Sequence, residues 1–207
     1  MGTRIGLYGG TFDPIHHGHL ISARALAEQL ELTRVILIPS AQPPHKPDVA
    51  HTPIDDRIAM VRAAVYGDAL FEVSTIEAER DGPSYTFDTV GAFREQLGQE
   101  AELLWFIGGD SLPQLHSWHR IRELVERVSI VTAARPGWKL PTEAELAEAV
   151  GPTAARQLLD HCIATPKIGI SATQIRARCA DGLSIRYLAP DAVVQYVASH
   201  GLYRSRR

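Results

Sequence analysis

Residues 5–20 read IGLYGGTFDPIHHGHL, and the rest of the chain is organised around them. Ile5 to Tyr8 is a continuous apolar run, which predicts a buried strand. Gly9 and Gly10 end it, Thr11 to Pro14 make a loop, and a helix follows to about Leu30. Glycine lacks a Cβ, so a ligand can approach the turn closely. A helix start offers unpaired N–H groups and the positive end of a dipole, both of which attract phosphate. His16 and His19 stand three apart in the first turn, where side chains are neighbours and both imidazoles can donate to one anion. A metal site of Asp13, His16, His17 and His19 is a second reading. It ranks below phosphate binding, because zinc sites need three or four convergent ligands and the sequence does not show how they would converge.

Downstream, strand and helix signals alternate. Val35–Ile38 and Leu103–Ile107 are short continuous apolar runs of the kind found in covered parallel strands. Leu70–Ile76 and Val128–Ala133 are further strand candidates. Helices are expected from Pro53, with Thr52 as cap and Ile54, Ile58, Val61 and Val65 as buried face, after Ser84 as cap, from Trp118 to Arg127, from Ser171, and from Pro190. Thr142 and Glu145 form a capping box, and Gly151-Pro152 separates two short helices. The alternation predicts an α/β fold, a Rossmann-like doubly wound parallel sheet with a small helical C-terminal region over 169–207. A single domain spans 1–207, with 136–168 read as a variable insertion packed beside the sheet. In such sheets ligands sit at the carboxyl ends of strands. Gly9-Gly10, the loop after Pro39, and Gly108-Gly109-Asp110 all follow strands, so they gather on one edge.

Composition narrows the partners. The 207 residues carry a formal charge of −3, which gives no general field for nucleic acid. Two cysteines, Cys162 and Cys179, have no metal spacing and are expected as free thiols. With no long apolar segment and no signal-peptide pattern, a cytoplasmic protein without a membrane partner is expected.

A second phosphate-binding pattern lies at the far end, ISATQIR over 170–176. Ser171 with Gln174 reads locally as a capping box. That leaves Thr173 and Arg176 without a task, whereas a hydroxyl, a guanidinium and free N–H groups together can hold a terminal phosphate.

Together, GGTFDPIHHGH and ISATQIR resemble the paired signatures of the HxGH nucleotidyltransferase superfamily. The stretches PPHK (43–46), PSYT (83–86), GGDS (108–111), SWH (117–119) and GLYR (201–204) are similar to those of the bacterial nicotinate-nucleotide adenylyltransferases. The resemblance implies transfer of the adenylyl group of ATP to nicotinate mononucleotide, with Mg²⁺ accompanying ATP. By motif, His16, His19 and Arg176 are the implied catalytic residues, with His16 and His19 around the α-phosphate. Ser171, Thr173 and Arg176 would grip the β- and γ-phosphates. Gly9, Gly10, Gly109 and Asp110 would frame the adenosine, with Thr11 and Phe12 in the same ATP-binding loop. His45 and Lys46 would face the acceptor, with Lys46 reaching a phosphate. The Tyr85-Thr86 backbone would receive the nicotinate carboxylate and Trp118 would stack on the pyridine ring. The competing expectations are another acceptor, phosphopantetheine or nicotinamide mononucleotide, and a nucleotide sensor without catalysis.

Overall fold

The computed structural model describes residues 3–44, 50–134 and 139–205. Its central strand is β1 (Arg4–Gly10), which pairs in parallel with β2 (Arg34–Pro39) on one side. On the other side β1 pairs in parallel with β4 (Glu102–Gly108). Gly9 and Gly10 therefore belong to the strand, opposite Ile38 and Pro39, rather than ending it beforehand. With β3 (Phe71–Val73), β5 (Ser129–Ala134) and β6 (Cys162–Ala164), the sheet runs β3-β2-β1-β4-β5-β6, every pairing parallel. The chain first steps outward from β1 and then returns to its other side. That reversal between β1 and β4 leaves a crevice at their carboxyl ends.

Both faces of the sheet are covered, which is why its strands read as unbroken apolar runs. Alternate residues of β4 point to opposite faces. Leu103, Trp105 and Ile107 join one core; Leu104 and Phe106 join the other. The first core is closed by α3 (Thr86–Leu97), α4 (Ile121–Arg127), α5 (Glu143–Val150) and α6 (Pro152–Asp160), through Phe87, Val90, Leu124, Leu146 and Leu158. The second is closed by α1 (His17–Gln29), α2 (Ile54–Val65), α7 (Ala172–Ala180) and α8 (Asp191–Ser199).

Several expectations are corrected. The third strand is only Phe71–Val73, because Ser74 turns the chain, its hydroxyl accepting the Ile76 N–H at 3.3 Å. Neither Thr52 nor Ser84 caps a helix; Pro53 and Tyr85 hold those positions. Helix α4 starts at Ile121, since Arg120 is left-handed at φ 53°. Ile54 is half-exposed, and Arg57 takes a buried place on that face of α2. The segment 136–168 does not merely lie beside the sheet. Its last strand is the sheet's sixth, and Leu146, Val150, Ala155 and Leu158 are core.

Candidate active site

Beyond β1 the chain bends sharply over its own side chains. A Cβ on Gly9 would stand 2.6 Å from the Trp105 ring, so glycine there serves β1–β4 packing as much as ligand approach. Phe12, at φ 47°, is buried edge-on to Tyr8 and His19, with ring centroids 5.6 and 5.1 Å away. His16 is the N-cap residue of α1, and its ring stacks on His19 at 3.7 Å. A Cβ on Gly18 would press the His16 ring at 3.0 Å, so the glycine makes room for the imidazole.

The His16 backbone N–H donates to His19 Nδ1 at 3.3 Å. Burial, with His16 alongside, holds the His19 imidazole well below its ordinary pKa. A neutral ring that accepts at Nδ1 carries its proton on Nε2. His19 is thus set as a neutral N–H donor at a helix start.

From the other end of the chain, Ser171 caps α7, its Oγ accepting the Gln174 N–H at 3.2 Å. One turn on, Arg176 Nη1 donates to the Asp13 carbonyl at 2.7 Å, and Nη2 lies 3.4 Å from Thr173 Oγ1. The early and late motifs therefore touch. Between them lies a chamber of about 680 Å³, lined by Gly9, Gly10, Thr11, Phe12, His16, His19, Asp110, Ser171, Thr173 and Arg176 among others. Asp13, 4% exposed, lines it too. Burial pushes its carboxyl up, but hydrogen bonds from Thr52 and Tyr203, with Arg176 nearby, outweigh that and hold it below the ordinary aspartate range. Both Asp13 carboxylate oxygens are hydrogen-bonded there, and among the described residues no three His, Cys, Asp or Glu are grouped as metal ligands.

A second chamber of about 470 Å³ shares Tyr8, Gly9, Gly10, Thr11, Gly108 and Ser111 with the first. Its far wall carries Tyr85, Thr86, Trp118 and His119, with Tyr85 and His119 stacked at 4.3 Å. Glu77, 3% exposed, lies in this wall. It accepts from Ser40 Oγ at 2.9 Å and Thr89 Oγ1 at 2.8 Å. Burial raises its pKa, and the hydroxyls only partly offset this.

Nearly all the expected site residues line one chamber or the other. Gly109 does not; it is buried at the head of the 3-10 segment Gly109–Ser117, and Gly108 lines both chambers instead. His45 and Lys46 fall outside the described residues. Sequence reasoning missed Arg57, 1% exposed. Its guanidinium donates to the carbonyls of Thr52 (2.8 Å), Thr11 (2.8 Å) and Ser40 (2.7 Å), tying the loops after β1 and β2 together. Its position three residues after Ile54 and one before Ile58 put it on the apolar stripe, which was the available signal.

Such a sheet, with a helix start and a cationic helix meeting at its switch point, defines a nucleotide-binding α/β protein of the nucleotidyltransferase type. The cytidylyltransferase-like family model matches residues 7–178, and the chain belongs to that family, within it to the nicotinate-nucleotide adenylyltransferases. A Thermomicrobium roseum protein named "Probable nicotinate-nucleotide adenylyltransferase" is 41% identical over 203 residues, 98% of this chain and 92% of its own. One of the same name from Opitutus terrae is 42% identical over 201 residues, 97% of this chain and 98% of its own. The nicotinic acid mononucleotide adenylyltransferase of Plasmodium falciparum, solved as a complex with APC, superposes with a TM-score of 0.75 over 97% of each chain. At 16% identity that likeness concerns the fold alone. Among the described residues no helix is long and apolar enough to cross a membrane.

Proposed function

We propose that this chain transfers the adenylyl group of ATP to nicotinate mononucleotide, releasing pyrophosphate and forming nicotinate adenine dinucleotide, a step of NAD biosynthesis in the cytoplasm. The observation that carries this reading is the pair of chambers joined at the ends of β1 and β4. One is lined by imidazoles, a guanidinium and two helix starts; the other by aromatic rings and the start of α3.

The acceptor is a phosphate monoester whose second pKa is about 6, so it is largely dianionic at neutral pH and needs no base. The protein's task is to bring two anions into line and to receive the charge that passes to pyrophosphate. The acceptor oxygen attacks the α-phosphorus, the bond to the bridging oxygen breaks, and pyrophosphate leaves with that electron pair. No covalent enzyme intermediate forms. His16 and the neutral His19 donate around the α-phosphate. Ser171, Thr173, Arg176 and the first N–H groups of α7 hold the β- and γ-phosphates. Asp110 frames the adenosine. In the second chamber Trp118 stacks on the pyridine ring, and the first N–H groups of α3, at Thr86, receive its carboxylate. An amide would present a donor there instead.

Mg²⁺ is proposed to arrive on ATP. Asp13 has both carboxylate oxygens hydrogen-bonded, so the ion's ligands would come chiefly from the phosphates themselves. Bound there, it would neutralise charge on the leaving pyrophosphate.

The test is pyrophosphate release with ATP, Mg²⁺ and one acceptor at a time: nicotinate mononucleotide, nicotinamide mononucleotide or phosphopantetheine. Turnover highest with the first supports the reading. Preference for another acceptor reassigns the second chamber, and no turnover with any, despite ATP binding, leaves a sensor.

A further inference from the structure

Residues 201–204, GLYR, line neither chamber, yet Tyr203 reaches the first one from behind. Its hydroxyl donates to Asp13 Oδ1 at 2.7 Å. The other oxygen, Oδ2, accepts the Thr52 N–H at 3.3 Å and lies 3.5 Å from His51 Nδ1. The carbonyl of the same Asp13 accepts from Arg176 at 2.7 Å. One residue thus joins the loop before α1, the entry to α2, the helix that carries Arg176, and the tail. Tyr203 itself is held in the left-handed region, φ 63°, where a residue with a Cβ is strained. Leu202 and Tyr203 pack on the second core, and the Leu202 N–H donates to Val197 at 3.0 Å, so the surroundings fix that conformation.

We propose that Tyr203 is a positioning residue for ATP, its hydroxyl holding Asp13, and through Asp13 the Arg176 guanidinium, in the geometry that receives the triphosphate. The inference rests on the assignment of the first chamber to ATP. Two physical effects carry it. Asp13 lines the chamber into which a polyanion must enter, and a phenol donor draws its charge away from that space. The same hydrogen bond also fixes the loop whose carbonyl holds Arg176, so a looser Asp13 gives a looser guanidinium. A hydrogen bond to a charged group contributes about 1.5–3 kcal/mol, roughly ten- to hundred-fold in an equilibrium constant.

Tyr196 provides the control. Its hydroxyl donates to Asp56 at 2.8 Å, joining α8 to α2 with the same chemistry but away from Asp13. The experiment measures equilibrium binding of ATP with Mg²⁺, without acceptor, to the wild-type chain, Tyr203→Phe and Tyr196→Phe, and then KM for each substrate. Tyr203→Phe should weaken ATP binding about tenfold and raise the KM for ATP, leaving the KM for the acceptor unchanged. Tyr196→Phe should stay within about twofold of wild type. In an Arg176→Ala background, Tyr203→Phe should cost clearly less than in the wild-type chain, since only the effect of the Asp13 charge is left once the guanidinium is gone. Wild-type ATP affinity in Tyr203→Phe, an equal loss in Tyr196→Phe, or full additivity with Arg176→Ala would each overturn the positioning role while leaving the chamber's assignment intact. A wild-type chain that binds no ATP would overturn both.

Discussion

Asp13 and Glu77 are both buried carboxylates, one in the wall of each chamber, and their pKa values move in opposite directions. Burial raises both. At Asp13 a phenol and a backbone N–H donate to the carboxylate, and Arg176 adds a nearby positive charge. At Glu77 the donors are the hydroxyls of Thr89, Ser40 and Ser84, and these with Arg80 do not offset burial. The first chamber is therefore organised around charge: cationic and N–H groups that suit phosphate, with its one buried carboxylate tied back. The second is organised around shape, with stacked rings and a carboxylate whose hydroxyl partners link Ser40 after β2 to the start of α3. On the proposed function, chemistry would fall to the first and selection of the acceptor to the second.

The sharpest way to break that division is His19→Ala. It removes a preorganised donor from the first chamber, and such donors are worth about 10²–10³-fold in kcat. Pyrophosphate release should fall by that factor while the thermal unfolding midpoint stays close to wild type. Near-normal turnover would take the first chamber out of the reaction. Trp118→Ala should have a smaller and different effect. Loss of a stacking face costs about 1–3 kcal/mol per ring, so the KM for nicotinate mononucleotide should rise about tenfold with the KM for ATP unchanged. Equal rises for both substrates would mean that the two chambers do not divide the work.

The first chamber was far more legible in the sequence than the second. Its histidines, hydroxyls and Arg176 are residue types whose chemistry is local to two short motifs, and the apolar runs around them set β1, β2 and β4. What escaped was long-range. Thr52 and Ser84 carry the right side chains for helix caps, so local reasoning assigned them as caps. In the fold the Thr52 N–H turns to Asp13, and Ser84 Oγ accepts the N–H groups of Ala41 and Gln42 at 3.1 and 3.0 Å. No spacing rule discloses a partner some forty residues distant. β6, three residues long, is too short to show a period, which is why 136–168 read as an addition to the sheet. Arg57 stands on an apolar stripe, but charged residues seldom go fully inside, so the stripe alone does not disclose its burial.

The smallest effect, and the most direct test of the contrast between the carboxylates, is in stability against pH. For Asp13 the folded pKa is depressed below 3.8. Its stabilising contribution is present above the unfolded value and is lost as pH falls through the folded one. The cost of Asp13→Asn, about 1–2 kcal/mol, should hold from neutral pH downward and shrink only in acid, once the pH falls below the unfolded value of 3.8. For Glu77 the folded pKa is raised above 4.5. The folded chain there binds a proton that the unfolded chain has released, so its contribution is complete below 4.5 and is lost as pH rises through the folded value. Glu77→Gln, neutral throughout, should cost about 1 kcal/mol near pH 4 and progressively less toward neutrality. Urea unfolding of both variants beside wild type, over one pH series, gives two penalties that should change with opposite slopes. If they run parallel, the two carboxylates sit in equivalent surroundings, and the separation into a charged chamber and a shaped one loses its electrostatic basis.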